Sequence, residues 1–147
     1  MKAISYAILR RGNDVLLQLR SGTGYMDGFW STAAAGHVEP GEAADAAAVR
    51  EAREELGIRI AGPQLQPLCT VHRNQPGGTR VGACVDFFFL VRQWSGTPRL
   101  MEPGKAAELR WFPLDALPRN LVEQERLVLS RLDSGLPPIL CTGSGKP

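Results

Sequence analysis

Apolar residues fall in short blocks separated by polar and glycine-rich stretches, and the spacing inside the blocks changes along the chain. Residues 3–10 (Ala-Ile-Ser-Tyr-Ala-Ile-Leu-Arg) and 15–20 (Val-Leu-Leu-Gln-Leu-Arg) flank the turn-forming Arg11-Gly12-Asn13-Asp14. Two apolar runs across so short a turn predict a β-hairpin. Ser21 to Gly28 is glycine-rich and reads as loop. Glu42 to Leu56 holds six alanines with no Gly or Pro, between Pro40-Gly41 and Gly57, which predicts a helix. After Gly57 the runs shorten and become β-like: Leu68 to Arg73, Gly82 to Val91, and Glu108 to Phe112 before Pro113. In the second of these, Val85, Phe87, Phe89 and Val91 alternate with Cys84, Asp86, Phe88 and Leu90, so a strand covered on both faces is expected. Asn74 to Thr79 reads as a loop. Asn120 as N-cap, with Glu123 three residues on, opens a second predicted helix. Leu121, Val122, Val128, Leu129 and Leu132 form its apolar stripe, and Gly135 with Pro137-Pro138 ends it.

Strands and helices mix without regular βαβ alternation, so an α+β chain with helix–sheet–helix layering is expected. No repeat or linker divides residues 1–135, which read as one domain, and 136–147 read as a flexible tail. The 147 residues suffice for a core without disulfides, and 44% hydrophobic with 22% charged residues is an ordinary globular composition. Lys+Arg 17 against Asp+Glu 15 leaves +2. So weak a balance argues against a nucleic-acid polymer as partner. No apolar run approaches the roughly 20 residues of a membrane span, and no basic-then-apolar leader opens the chain. Cys69, Cys84 and Cys141 are odd in number with no CxxC spacing, so neither zinc ribbon nor disulfide framework is encoded. A reduced, cytoplasmic setting follows as the expectation.

The chemistry concentrates in Gly36 to Ile58, GHVEPGEAADAAAVREAREELGI. On a helical wheel with Glu51 at zero, Glu54 falls near about 300° and Glu55 near about 40°. Three carboxylates therefore share one stripe, flanked by Ala44, Ala47 and Ala48, whose small side chains permit close approach of another backbone. Val49, Ala52 and Leu56 turn toward the core. Arg50, one turn before Glu54, can pair with it. Such crowded carboxylates raise one another's pKa unless a cation neutralises them, and hard oxygen ligands suit magnesium or calcium. An ExxEE run alone is more often a solvated helix face, here balanced by Arg50 and Arg53.

The surrounding positions change that balance. Gly36, Glu42, Arg50, Glu51, Glu54, Glu55 and Gly57 resemble, spacing for spacing, the signature of the Nudix hydrolases, with Ala52 undersized at one aliphatic position and Ile58 at the other. The resemblance implies an α/β/α sandwich with a mixed central sheet. It implies hydrolysis of a nucleoside diphosphate linked to another moiety, with magnesium, or manganese in its place, held by Glu54 and Glu55. Glu51 would be a further ligand or the base, and the Gly36 carbonyl would join the coordination. Arg50 would orient a glutamate, Glu42 would support the loop, and Gly57 would close the motif. The resemblance also implies a second acid outside the helix: Glu102 or, favoured by an E-x-x-W context, Glu108. Small size makes a MutT-like enzyme acting on a (d)NTP such as oxidised dGTP the first expectation. ADP-ribose or another nucleotide sugar, a non-catalytic nucleotide sensor and an isopentenyl diphosphate isomerase are the alternatives, the last disfavoured for want of a cysteine in the expected context. Homodimers are frequent in the family.

Around the motif, Tyr25, Met26, Phe29 and Trp30 either stack on a base or pack in the core, with core favoured for Phe29 and Trp30. Arg20 ends a strand facing the motif and is a candidate phosphate contact, or an edge charge. His72 and Arg73 are candidates to reach the leaving group. His37 reads as a surface or supporting residue. Ala33-Ala34-Ala35 replaces the Pro-containing pair common in relatives, which suggests a looser loop there.

Overall fold

The computed structural model describes residues 1–74 and 82–143. Strand β1 (Lys2–Arg11) turns through Gly12, at φ +60°, into β2 (Asp14–Arg20). The predicted hairpin is present, but its two strands pair only at the tip, Arg10 with Val15 and Arg11 with Asp14. They then diverge. β1 runs between β4 (Ala34–His37, antiparallel) and β6 (Cys84–Val91, parallel). β2 runs between β3 (Trp30–Thr32) and β7 (Ala106–Pro113), both antiparallel. β5 (Leu65–Asn74) follows β6 antiparallel, and β8 (Ile139–Gly143) extends the edge parallel to β5. The sheet is therefore mixed, and the expected α+β sandwich is what forms.

Each face of the sheet carries its own core. Alternation along β1 sends Ala7 and Leu9 to one side, where they meet Ala48, Ala52 and Leu56 of helix α1 (Ala44–Leu56). Tyr6 and Ile8 go to the other side, with Val128 and Leu129 of helix α2 (Glu123–Leu129). Burial on both faces is why β1 reads as a nearly continuous apolar run. In β6, Cys84, Asp86, Phe88 and Leu90 are buried as one face. Val85, Phe87 and Phe89 of the other face are half-buried and only Val91 is fully covered, so the expectation of two covered faces holds for one of them and in part for the other.

α1 starts two residues later than Glu42 because that carboxylate is engaged with the preceding loop. It ends at Gly57, whose left-handed φ of +69° lets its N–H return to the Arg53 carbonyl. The alanine triplet is no loose loop. Ala33 and Ala34 are buried, and Ala34 opens β4. Small side chains let α1 pack directly on this strand.

Two further expectations are corrected. Asn120 does not cap α2; its side-chain amide donates to the Gly28 carbonyl and its own carbonyl accepts the Trp30 N–H. The buried Leu121 and Val122 hold the segment extended against Trp30, which delays the helix to Glu123. The flexible tail from 136 does not apply to Ile139–Gly143, because the exposed edge of β5 recruits those residues as β8. Of the predicted loop at Asn74 to Thr79, Asn74 ends β5 and the rest lies outside the described residues.

Candidate active site

α1 lies on β4 so that its acidic stripe meets Gly36. A Cβ on Gly36 would run into the Glu51 carboxylate. Glycine is required there for close approach and not for an unusual φ. Arg50 organises the cluster. Its Nε and Nη2 form a fork on Glu42, at 2.7 and 3.0 Å. Nη2 also donates to the His37 carbonyl, and Nη1 donates to Glu51 at 2.8 Å and to Glu54 at 3.2 Å. The Arg50 hydrogen bonds first, with a further bond from the Glu39 N–H, hold the Glu42 carboxyl down at about 2. Glu42 thus fixes the loop before the helix.

Glu51 and Glu55 line a cavity of about 770 Å³; Glu54 is not among the lining residues, and is half exposed and held by Arg50. The Glu55 carboxylate accepts the Ala35 N–H at 2.8 Å. Burial first, then the charges of Glu51 and Glu102, push the Glu55 carboxyl up to about 8. Burial also raises Glu51, against the opposing pull of Arg50.

The sequence-predicted residues divide around this cavity. Arg20 and Tyr25 line it. The Arg20 guanidinium donates to the Tyr25 carbonyl and to Thr23 Oγ1, and sits 5.4 Å from the Tyr25 ring centre, so it ties the glycine-rich loop to the end of β2. Phe29 is 37% exposed and does not line the cavity, whereas Trp30 is core. Arg73 reaches the wall but is spent on Asp86, with bonds of 2.6 and 3.0 Å in a buried ion pair. His72 alternates to the opposite side of β5 from Arg73 and does not line the cavity.

Glu108 does not join the carboxylates either. Leu109 and Trp111 of β7 pack into the α1-side core, so the pleat turns Glu108 away from α1, where Arg110 pairs with it at 2.7 Å. Glu102, the other candidate, is the acid whose charge is felt at both Glu51 and Glu55. It is paired at 2.7 Å with Lys105, a cavity residue that the sequence reading did not single out.

A family model for the NUDIX domain matches residues 1–132. The chain belongs to the Nudix family. Among solved structures, this Nudix chain is similar to a MutT NUDIX hydrolase from Burkholderia pseudomallei, at 30% identity and a TM-score of 0.79, covering 89% of this chain and 97% of that one. Among curated proteins it is 33% identical over 121 residues to an isopentenyl-diphosphate Delta-isomerase from Jannaschia sp., covering 82% of this chain and 68% of the relative. It is 32% identical over 111 residues to the NAD-capped RNA hydrolase NudC of Stutzerimonas stutzeri, covering 76% of this chain but only 36% of that protein. The solved structure and NudC agree with the enzyme class expected from the sequence, a hydrolase acting on pyrophosphate bonds.

The donor set of the Nudix motif fits a hard divalent cation. All its side-chain atoms are carboxylate oxygens, Gly36 leaves the Glu51 carboxylate room against β4, and Glu55 is held near neutrality by burial and by neighbouring negative charge. Among the described residues, no three acidic, histidine or cysteine groups converge into a finished metal cage. Arg50 occupies Glu51 and Glu54 in that arrangement.

Among the further cavity residues that the sequence reading did not mark as functional is a carboxylate. Glu125 is buried on the wall, its Oε1 accepting the Thr32 N–H. Burial pushes its carboxyl up to about 7. The signal was present: Glu125 falls at i+4 from Leu121 and three before Val128, a carboxylate in the middle of the apolar stripe.

Proposed function

We propose that the chain hydrolyses a nucleoside triphosphate, such as oxidised dGTP, to the monophosphate and pyrophosphate. The observation that carries this reading is one cavity with the Nudix carboxylates Glu51 and Glu55 on one part of its wall and Tyr25, Arg20 and polar side chains on another. Its volume of about 770 Å³ suits a nucleotide. When bound, magnesium or manganese supplies charge neutralisation for the phosphates and a more acidic water. Glu54 and Glu55 would hold it, with the Gly36 carbonyl, and Glu51 is left as the base. Water attacks phosphorus, the anhydride P–O bond breaks, and pyrophosphate departs with the bond's electron pair. Arg50 engages Oε1 of Glu51, which leaves Oε2 to take the proton from the attacking water. Glu102 replaces Glu108 as the second acid in this reading, because its charge reaches Glu51 and Glu55.

An isomerase reading draws on the Jannaschia relative. Against it, Cys69 and Cys84 are buried and Cys141 is exposed, and none of the three lines the cavity. The free thiols suit a reducing, cytoplasmic setting. No helix among the described residues is long and apolar enough to cross a membrane.

A release assay with magnesium tests the proposal. Nucleoside triphosphates, 8-oxo-dGTP, ADP-ribose and NAD-capped RNA are offered in parallel, with isopentenyl diphosphate followed for double-bond migration. Pyrophosphate release from triphosphates, abolished by a chelator, is the expected result. Turnover confined to ADP-ribose or capped RNA moves the substrate class. Migration without phosphate release, or tight nucleotide binding without turnover, overturns the reading.

A further inference from the structure

Part of the cavity wall, built by β2, β3 and α2, carries polar groups that hydrolysis does not use. Gln18 and Ser31 are directly opposed across the β2–β3 pair, so their side chains share a face, and both line the cavity. Ser31 is 3% exposed, and its Oγ has no hydrogen-bond partner among the described residues. Glu125 is equally buried at 3% and is tied to the same strand through the Thr32 N–H. A carboxylate offers about four acceptor positions, and the Thr32 amide takes one of them. A buried hydroxyl without a partner and a buried carboxylate with spare acceptor capacity, both on the wall of an open cavity, are groups that a ligand satisfies.

We propose that Gln18, Ser31 and Glu125 form a base-recognition subsite for a heterocycle whose ring N–H stands beside a carbonyl, the edge presented by guanine, hypoxanthine or uracil. The complementarity is chemical. Once ionised, above about pH 7, Glu125 only accepts, so it pairs with the ring N–H; the Ser31 O–H and the Gln18 amide N–H donate to the adjacent carbonyl. Adenine and cytosine present a bare ring nitrogen, whose lone pair faces the Glu125 oxygens; Ser31 and Gln18 accept as well as donate, so the discrimination rests on Glu125. Sites built to hydrogen-bond a substrate group reject analogues lacking it strongly, because the site's own polar groups stay unpaired. Burial raises the Glu125 carboxyl, which marks a poorly solvated position where a ligand N–H replaces missing water.

This inference rests on the reading that the cavity takes a nucleotide, and its test separates the two. Binding of the 5′-monophosphates of guanosine, inosine and uridine is compared with that of adenosine and cytidine at pH 8.5 by calorimetry, which needs no turnover. Pyrophosphate release from the matching triphosphates is measured beside it. The wild type is expected to favour the ring-N–H group by tenfold or more in binding. Glu125→Gln should shrink that ratio about tenfold, and Ser31→Ala should weaken binding of both groups severalfold, with both variants melting as cooperatively as the wild type. A wild type without the preference, or a ratio that survives in folded Glu125→Gln, overturns the subsite. Preference in binding with no pyrophosphate release from any triphosphate overturns the hydrolytic reading and leaves the subsite standing.

Discussion

At Gly36 a single hydrogen in place of a methyl decides whether Glu51 can occupy the cavity wall. Gly36→Ala would push a Cβ into the Glu51 carboxylate. The backbone is compatible with alanine and the Glu51 carboxylate is the far end of a flexible side chain, so the effect should fall on function: about a hundredfold loss of turnover from a displaced carboxylate, with stability little changed. Steady-state kinetics and urea unfolding of the same preparation separate the two. Glu51→Gln keeps the shape and removes the proton acceptor. Turnover should fall by orders of magnitude, while the melting temperature stays nearly intact; an unaffected rate takes Glu51 out of the chemistry. The acidic stripe was legible because Glu51, Glu54 and Glu55 sit at helical spacing. The choice between Glu102 and Glu108 was not, because it turns on which face of β7 looks toward α1.

The elements are held by charge as well as by packing. Between β5 and β6, Arg73 and Asp86 form a buried pair at 2.6 Å, and the Tyr6 hydroxyl donates to the same carboxylate at 3.4 Å. Asp86→Ala strands a buried guanidinium and should cost about 3–5 kcal/mol, read from the midpoint of denaturant unfolding. Strand existence and helix α1 were readable from local periodicity. The ends of elements were not. Tertiary contacts overrode the Asn120 capping pattern by drawing Leu121 and Val122 against Trp30, and made a strand of Ile139–Gly143 by offering the β5 edge.

Across the whole molecule, the cavity stores unfavourable ionisation. The Glu125 carboxyl is raised by burial to about 7 from an ordinary value of 4.5. Between those values the folded state keeps a proton that the unfolded chain releases, so this group's contribution to stability falls as pH rises from about 4.5 to 7 and is level above. The difference amounts to roughly 3 kcal/mol. Glu125→Gln should therefore gain stability relative to the wild type at pH 8 and little at pH 4.5, as measured by urea unfolding at both values. An equal difference at the two pH values would remove Glu125 as the source.

The sequence by itself determined the family, the acidic helix and its arginine, and the buried face of β6, because each is written in spacing along a single element: 3.6 residues for carboxylates on one stripe, alternation for β6. Only the tertiary structure decided which residues from separate elements share the cavity. Arg20 and Tyr25 reach it, Arg73 is neutralised on its wall by Asp86, His72 and Glu108 are turned away by the pleat, and Glu125 enters from an apolar helix stripe. Those outcomes depend on strand pairing between positions far apart in the chain, which no local pattern records.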